Sequence, residues 1–399
     1  MLLNSKKRKR SLLMTRLMCC LSSLYLANTH ADEFDTFQFS TSVNRTWDNN
    51  LFRLSDNERS DQITTYSAGV KFDKRYSLQR FIVNVNYLDY KYQRNDFLNF
   101  DTINYDATWQ WSLSPSLTGT LLSSRTRALN GFGDFRLLTQ NIRTNATNQF
   151  RAEYSPYKVG ALIAGFTETR LENSQTFNAQ TDFDATAFDY GARYNFPSGT
   201  NMTLLGHKRQ SHYSNRVLSP ILLFDNGYSE DEFEFDIVFK ATGKSNLSSK
   251  LAHLSREYDN YSVRDYGVWY GNIKYDLFLT GKLKTSFDFS RVVGAFESSY
   301  STYTVTDAVS VNTSYFVSEK LILSVNGRYA KRDFKQAVVP DRPSRNDDER
   351  SIGAAVTWQP VKSVSVIVNT TKSSRDASSA YNQFDYNDVT SSLTLDLKI

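Results

Sequence analysis

Between residues 106 and 122 the chain reads DATWQWSLSPSLTGTLL, and apolar and polar positions alternate on both sides of a proline. Ala107, Trp109, Trp111 and Leu113 interleave with Asp106, Thr108, Gln110 and Ser112. Beyond Ser114-Pro115-Ser116, Leu117, Gly119 and Leu121 interleave with Thr118 and Thr120. A period of two places the two sets on opposite faces of a strand, so the stretch predicts a hairpin with one apolar and one polar face.

The pattern recurs in segments of roughly 10 to 14 residues, the length of a tilted strand crossing a bilayer. Phe37, Phe39, Thr41, Val43 and Trp47 form the first segment, followed by Tyr66 to Phe72 and Phe81 to Tyr87. In EFEFDIVFK, Phe233, Phe235, Ile237 and Phe239 oppose Glu232, Glu234 and Asp236. Leu321 to Tyr329, Ile352 to Trp358 and Val389 to Ile399 repeat the pattern; 138–154 and 158–171 carry it weakly. About eighteen segments emerge, an even number, as a closed bacterial barrel requires.

Short turns such as 73–77, 114–116, 242–245 and 359–360 alternate with longer polar loops, the longest expected at Phe334 to Glu349. A soluble sandwich would explain the alternation but not this rhythm, and no Pro/Gly/Ser linker divides the chain. The predicted fold is all-β: a single transmembrane antiparallel barrel of about 18 strands, with short periplasmic turns and longer extracellular loops.

The amino terminus departs from the rhythm. Lys6-Lys7-Arg8-Lys9-Arg10 precedes an apolar stretch from Leu12 to Ala27 and a small-residue exit at Thr29-His30-Ala31. That order predicts a secretory signal peptide over residues 1–31, with the barrel over 32–399 and a destination in the outer membrane. The signal would carry six of the 47 basic residues and none of the 42 acidic ones. A balanced mature chain results, so no nucleic-acid partner is implied. Both cysteines, Cys19 and Cys20, also lie in the signal. The last strand, SSLTLDLKI, alternates to Ile399, where outer-membrane barrels usually carry an aromatic.

The two faces identify their media. Outward positions are apolar, with aromatics near segment ends (Trp47, Phe72, Tyr87, Tyr194, Phe239, Tyr275, Trp358), as lipid and its interfaces demand. Inward positions carry Asn84, Asn86, Arg143, Arg151, Glu232, Glu234, Asp236, Asn326 and Arg328, which need water or partners. Arg143, Arg151, Glu232, Glu234, Asp236 and Arg328 are the predicted lumen-lining candidates.

TWDNNLFRLSD (46–56), YDATWQWSLSPSLTGTLLSSRTRALNGFGDFR (105–136) and NIRTNATNQFRAEY (141–154) resemble the EpsL-like family. Those proteins are outer-membrane barrels encoded with exopolysaccharide machinery. The resemblance covers roughly the first third of the mature chain. It implies a conduit for secreted polysaccharide, with outer-membrane lipid, the polymer and periplasmic or inner-membrane export components as partners. Alternation alone admits a general diffusion porin or a non-transporting scaffold equally.

No enzyme, cofactor or metal site is expected. Ser211 beside His212, with His207 nearby, lacks a nucleophile elbow. The row Glu230, Glu232, Glu234, Asp236 could imitate a glycosidase pair, but a polar lumen face produces such rows without chemistry. Asp347-Asp348-Glu349 could meet calcium in an external loop, but lacks the EF-hand spacing.

Overall fold

The computed structural model describes residues 36–135, 138–157, 159–177, 179–298, 301–338 and 343–399. The expected signal segment 1–31 lies outside the described residues. The strands are β1 Phe37–Asp48, β2 Asp61–Tyr76, β3 Gln79–Tyr92, β4 Phe100–Ser114, β5 Leu117–Leu129 and β6 Ile142–Tyr154. They continue as β7 Gly160–Asn173, β8 Phe183–Asn195, β9 Asn201–His212, β10 Gly227–Thr242, β11 Ser245–Tyr258 and β12 Tyr266–Phe278. The last six are β13 Leu283–Ala295, β14 Tyr303–Ser318, β15 Leu321–Lys335, β16 Asn346–Val361, β17 Val364–Ala377 and β18 Tyr386–Lys398.

Each strand pairs antiparallel with its neighbours in sequence, and β1 pairs with β18 from Ser40↔Lys398 to Asp48↔Thr390. The sheet is therefore a closed 18-stranded barrel. Closure leaves no edge strand whose backbone would face lipid unpaired, which is why an amphipathic β chain can stand in a membrane at all.

Alternation sorts the side chains as the sequence predicts. On β10, Phe233 is 63% exposed to the outside while Glu232 is 8% exposed. Trp109, Leu121, Phe150, Phe166 and Phe188 continue the outward apolar band. Within the opening hairpin, Trp111 pairs with Gly119 and its ring lies over the missing side chain. A Cβ on Gly119 would sit 2.1 Å from the Arg151 carbonyl oxygen and 2.4 Å from the indole. Trp111 also stacks on Phe150 with centroids 5.9 Å apart, so the glycine admits a lipid-facing aromatic ladder.

All connections after odd-numbered strands are long and those after even-numbered strands short, which puts the loops on one rim and the turns on the other. Strands run further than the charge pattern suggests. β2 continues to Tyr76, because inward Asp73 accepts from Arg80 Nε and Nη2 at 2.9 and 2.8 Å. The connection expected over 334–349 shortens to 336–345, because Asp347 and Glu349 stay in β16 with partners across the sheet. Charges that read as loop are strand residues whose counter-charges lie far away in sequence.

An arginine on the lipid face near mid-strand, Phe235→Arg, is predicted to cost about 2–4 kcal/mol. Asn369→Ser, on the lumen face, should change stability by less than about 0.5 kcal/mol. Urea unfolding in lipid vesicles measures both; equal costs would contradict the assignment of faces.

Candidate functional site

The lumen is the candidate functional site, and described residues of the connections at the long-loop rim reach across its mouth. The 130–141 loop leaves the wall between β5 and β6. Its Asp134 meets β15 and β17, with β18, β1, β2, β3 and β4 lying between. Arg332 Nη1 donates to both Asp134 carboxylate oxygens at 3.1 and 2.9 Å. Arg375 Nη1 donates to Asp134 Oδ1 at 3.1 Å and to the Gly133 carbonyl at 2.9 Å. Arg345 adds a third guanidinium 3.7 Å away.

The arginines are themselves held. Arg345, fully buried, donates to both Asp347 oxygens at 2.9 and 2.7 Å and lies 3.7 Å over the Phe384 ring. Arg375 also donates to Glu349 Oε1 through Nε and Nη2 at 3.1 and 2.8 Å. The loop's apolar side packs Phe132 against Leu51, Phe52, Leu98 and Tyr92. One face of the loop is thus latched by charge and the other buried in a small core.

A second group of loops covers the β9–β15 side. Arg216 Nη1 donates to Glu297 Oε2 at 2.6 Å, and the Tyr213 and Tyr258 hydroxyls donate to Glu297 Oε1 at 2.6 and 3.2 Å. Arg264, fully buried, donates to the carbonyls of Leu222, Leu223, Ser298 and Ser301. Gln336 reaches the carbonyls of Val263 and Asp265.

Rim aspartates tie neighbouring connections down. Asp61 accepts from the backbone N–H groups of Gln93, Arg94 and Asn95 at 3.0–3.1 Å. Asp225 accepts from those of Asn260 and Tyr261 at 2.6 and 2.9 Å. Burial alone would raise the Asp225 carboxyl, but the Asn260 side chain and these N–H groups reverse it and hold the value below the usual carboxylate range.

Below the rim the lumen has two unlike walls. Inward positions of β14 to β18 and β1 are largely hydroxyl and amide, among them Ser310, Asn312, Ser324, Asn326, Thr371, Ser392 and Asn44. The wall from β6 to β11 is charged. A recess of about 310 Å³ there is lined by Asp189, His207, Arg209, Glu232, Glu234, Lys250 and Tyr270, among others.

Of the predicted lumen candidates, Glu232, Glu234 and Asp236 share the inward face of β10, opposite His207, Leu205 and Thr203. Tyr270 donates to Glu232 at 2.5 Å, and Lys250 pairs with Glu234. Neighbouring Glu230 is clasped by Arg256 at 2.6 Å and by Arg209. Arg143 and Arg151 stand on β6, and Arg328 on β15. Arg151 donates to Glu153 at 3.1 Å, Arg328 lies 3.8 Å from Glu349, and Arg143 has no ion-pair partner among the described residues.

The other chemical candidates dissolve on placement. Ser211 faces inward, and His212 faces outward from the same strand, so they cannot act on one substrate. Asp347, Asp348 and Glu349 are not in a loop. Asp347 and Glu349 face arginines inside, and Asp348 accepts from the outward Tyr329 hydroxyl at 2.7 Å. Asp134, Arg332, Arg345 and Arg375 escaped sequence reasoning, since nothing local links position 134 to 375. The FGDF turn around Asp134, apolar on both sides of an acid, was the available hint.

Burial alone would raise the Asp134 carboxyl; Arg332, Arg375 and Arg345 overcome that and hold it below the ordinary value. A depressed value in the latched state means the latch is intact above the ordinary carboxylate range and lost as pH falls through the lower, latched value. Hydrogen-exchange protection of residues 130–135 should therefore persist at neutral and mildly acidic pH and drop in stronger acid. In Asp134→Asn it should be low throughout; equal protection in the variant would contradict the latch.

No protein-family model matches the chain, and no curated protein matches it in sequence. Solved structures do match in fold. OccK2 (OpdF) of Pseudomonas aeruginosa superposes with a TM-score of 0.55 at 10% identity, covering 91% of this chain and 98% of that one. A BenF-like porin of Pseudomonas fluorescens gives 0.55 at 11% identity, covering 92% and 99%. OpdK of Pseudomonas aeruginosa, solved with vanillate, gives 0.53 at 12% identity, covering 91% and 99%. The expected membership of the EpsL-like family is thereby corrected: the structural likeness is to porins. The stretches that suggested that family are the end of β1 with its loop, a lipid-facing hairpin and strand β6, features that any barrel with this alternation shares. The chain is an outer-membrane, porin-like β-barrel.

Proposed function

We propose that the barrel is a passive diffusion channel for small hydrophilic solutes. The observation that carries this reading is the 130–135 stretch of the β5–β6 connection, latched across the mouth by Asp134 to Arg332 and Arg375. A fixed inward loop narrows the passage toward solutes the size of an amino acid or a monosaccharide, and disfavours a broad polymer. The lining supports the same reading, because paired charges on one wall and hydroxyl and amide groups on the other offer many weak contacts and no deep trap. The row Glu230, Glu232 and Glu234 is taken up by Arg256, Arg209, Tyr270 and Lys250, which favours a wall over a catalytic pair.

Solute selection falls to the residues that remain accessible. Arg143 on β6 and Arg328 on β15 offer cationic character on opposite sides of the lumen, and Asp236 on β10, between them around the barrel, offers the opposite. The fold shared with OpdK, which was solved with vanillate, makes an aromatic carboxylate a sensible test solute.

Single-channel recording in planar bilayers tests the reading. The wild-type barrel should open in steady steps, and Asp134→Ala should open in larger ones because the loop is released. Absence of any steps from a folded, heat-modifiable barrel would overturn the channel reading. Steps of unchanged size in Asp134→Ala would overturn the role of the loop.

A further inference from the structure

The charged recess has a property that conduction does not call for. His207, Glu232 and Glu234 each offer one ligand atom, and these atoms lie within 4.8 Å of one another. Barrel register produces the grouping: His207 pairs with Glu232, and Leu205 beside it pairs with Glu234. All three side chains therefore emerge on one face of two adjacent strands.

The imidazole is oriented as a ligand would be. Its Nδ1 lies 2.6 Å from Asp189 Oδ1, the carboxylate–histidine arrangement that fixes the ring and leaves Nε2 for an ion. Nε2 is buried and has no hydrogen-bond partner among the described residues. It points toward Glu234 Oε2, 4.0 Å away. Glu232 gives one oxygen to Tyr270, and its other oxygen has no hydrogen-bond partner among the described residues.

Charge favours a cation as well. Among the residues lining the recess, the carboxylates Asp189, Glu232 and Glu234 outnumber the cations Arg209 and Lys250. Lys250 now pairs with Glu234, but its register partner is Asp236, to which its long stem can swing. That exchange keeps the ammonium paired and frees Glu234. Ligand atoms around a tetrahedral ion sit about 3.3 Å apart, so the observed separations need only side-chain rotation to close.

We infer that His207, Glu232 and Glu234 form a lumenal binding site for a transition-metal dication of the zinc class, with Asp189 as the positioning residue for the imidazole. One nitrogen and two carboxylate oxygens suit zinc or cobalt, whereas magnesium and calcium prefer all-oxygen sets. The ion would occupy the wall recess, open to the lumen for a water or solute as a further ligand. The site does not depend on the channel reading, because metal binding is measured without conduction.

The test is calorimetric titration of zinc chloride into chelator-treated barrel purified from outer membranes, checked by the visible spectrum of the cobalt form. One zinc per chain should bind, resist competition by magnesium, and give cobalt d–d bands. His207→Ala and Glu234→Gln should each weaken binding by at least about tenfold. The double variant His212→Ala/His253→Ala, which alters only lipid-facing imidazoles, should bind as wild type does. The site is overturned if the wild type takes up no stoichiometric zinc, or if binding survives His207→Ala unchanged. Loss of binding in the His212/His253 variant overturns it too, and needs no folded His207 variant to interpret.

Discussion

A β chain can stand in hydrocarbon only if every backbone N–H and C=O finds a partner inside the protein, and one seam satisfies that condition here. The register of β1 with β18, from Ser40↔Lys398 to Asp48↔Thr390, turns an 18-stranded sheet into a barrel without edges. Everything else follows from closure. Once the ring is shut, alternation sends Phe233 and Phe235 to lipid and Glu232 and Glu234 to water, and a one-residue slip at the seam would invert both faces.

The enclosed water then becomes the place where polar side chains must be balanced. Along β14 to β1 the balance is reached with Ser, Thr and Asn, which tolerate water or one another. From β6 to β11 it is reached with ion pairs across neighbouring strands, such as Arg256 with Glu230. At the rim the balance extends to loops: Asp134 is carried across the mouth because three arginines on the far wall lack enough carboxylate of their own. The same physics closes the barrel wall and narrows its mouth.

Much of this was legible in the sequence. Period-two alternation, the short–long rhythm of connections and the polar positions between apolar ones are local signals; they predicted the barrel and its strand number, and period two alone puts Glu232, Glu234 and Asp236 on one face of β10. What stayed hidden is non-local. The run Asn346 to Glu349 reads as loop because its partners, Arg375 on β17 and Arg332 on β15, are joined to it only by the folded sheet. The Asp134 latch spans a sequence separation of 198 to Arg332 and 241 to Arg375. The family resemblance failed for the opposite reason: it rested on local hairpin texture, which unrelated barrels share.

Liposome swelling with solutes of graded size tests the central claim most directly. Vesicles holding the barrel should swell in small sugars and amino acids and stay unchanged in long oligosaccharides. Vesicles that admit no solute at all, or that admit the long polymer as readily as the monosaccharide, would contradict a channel narrowed by a latched loop.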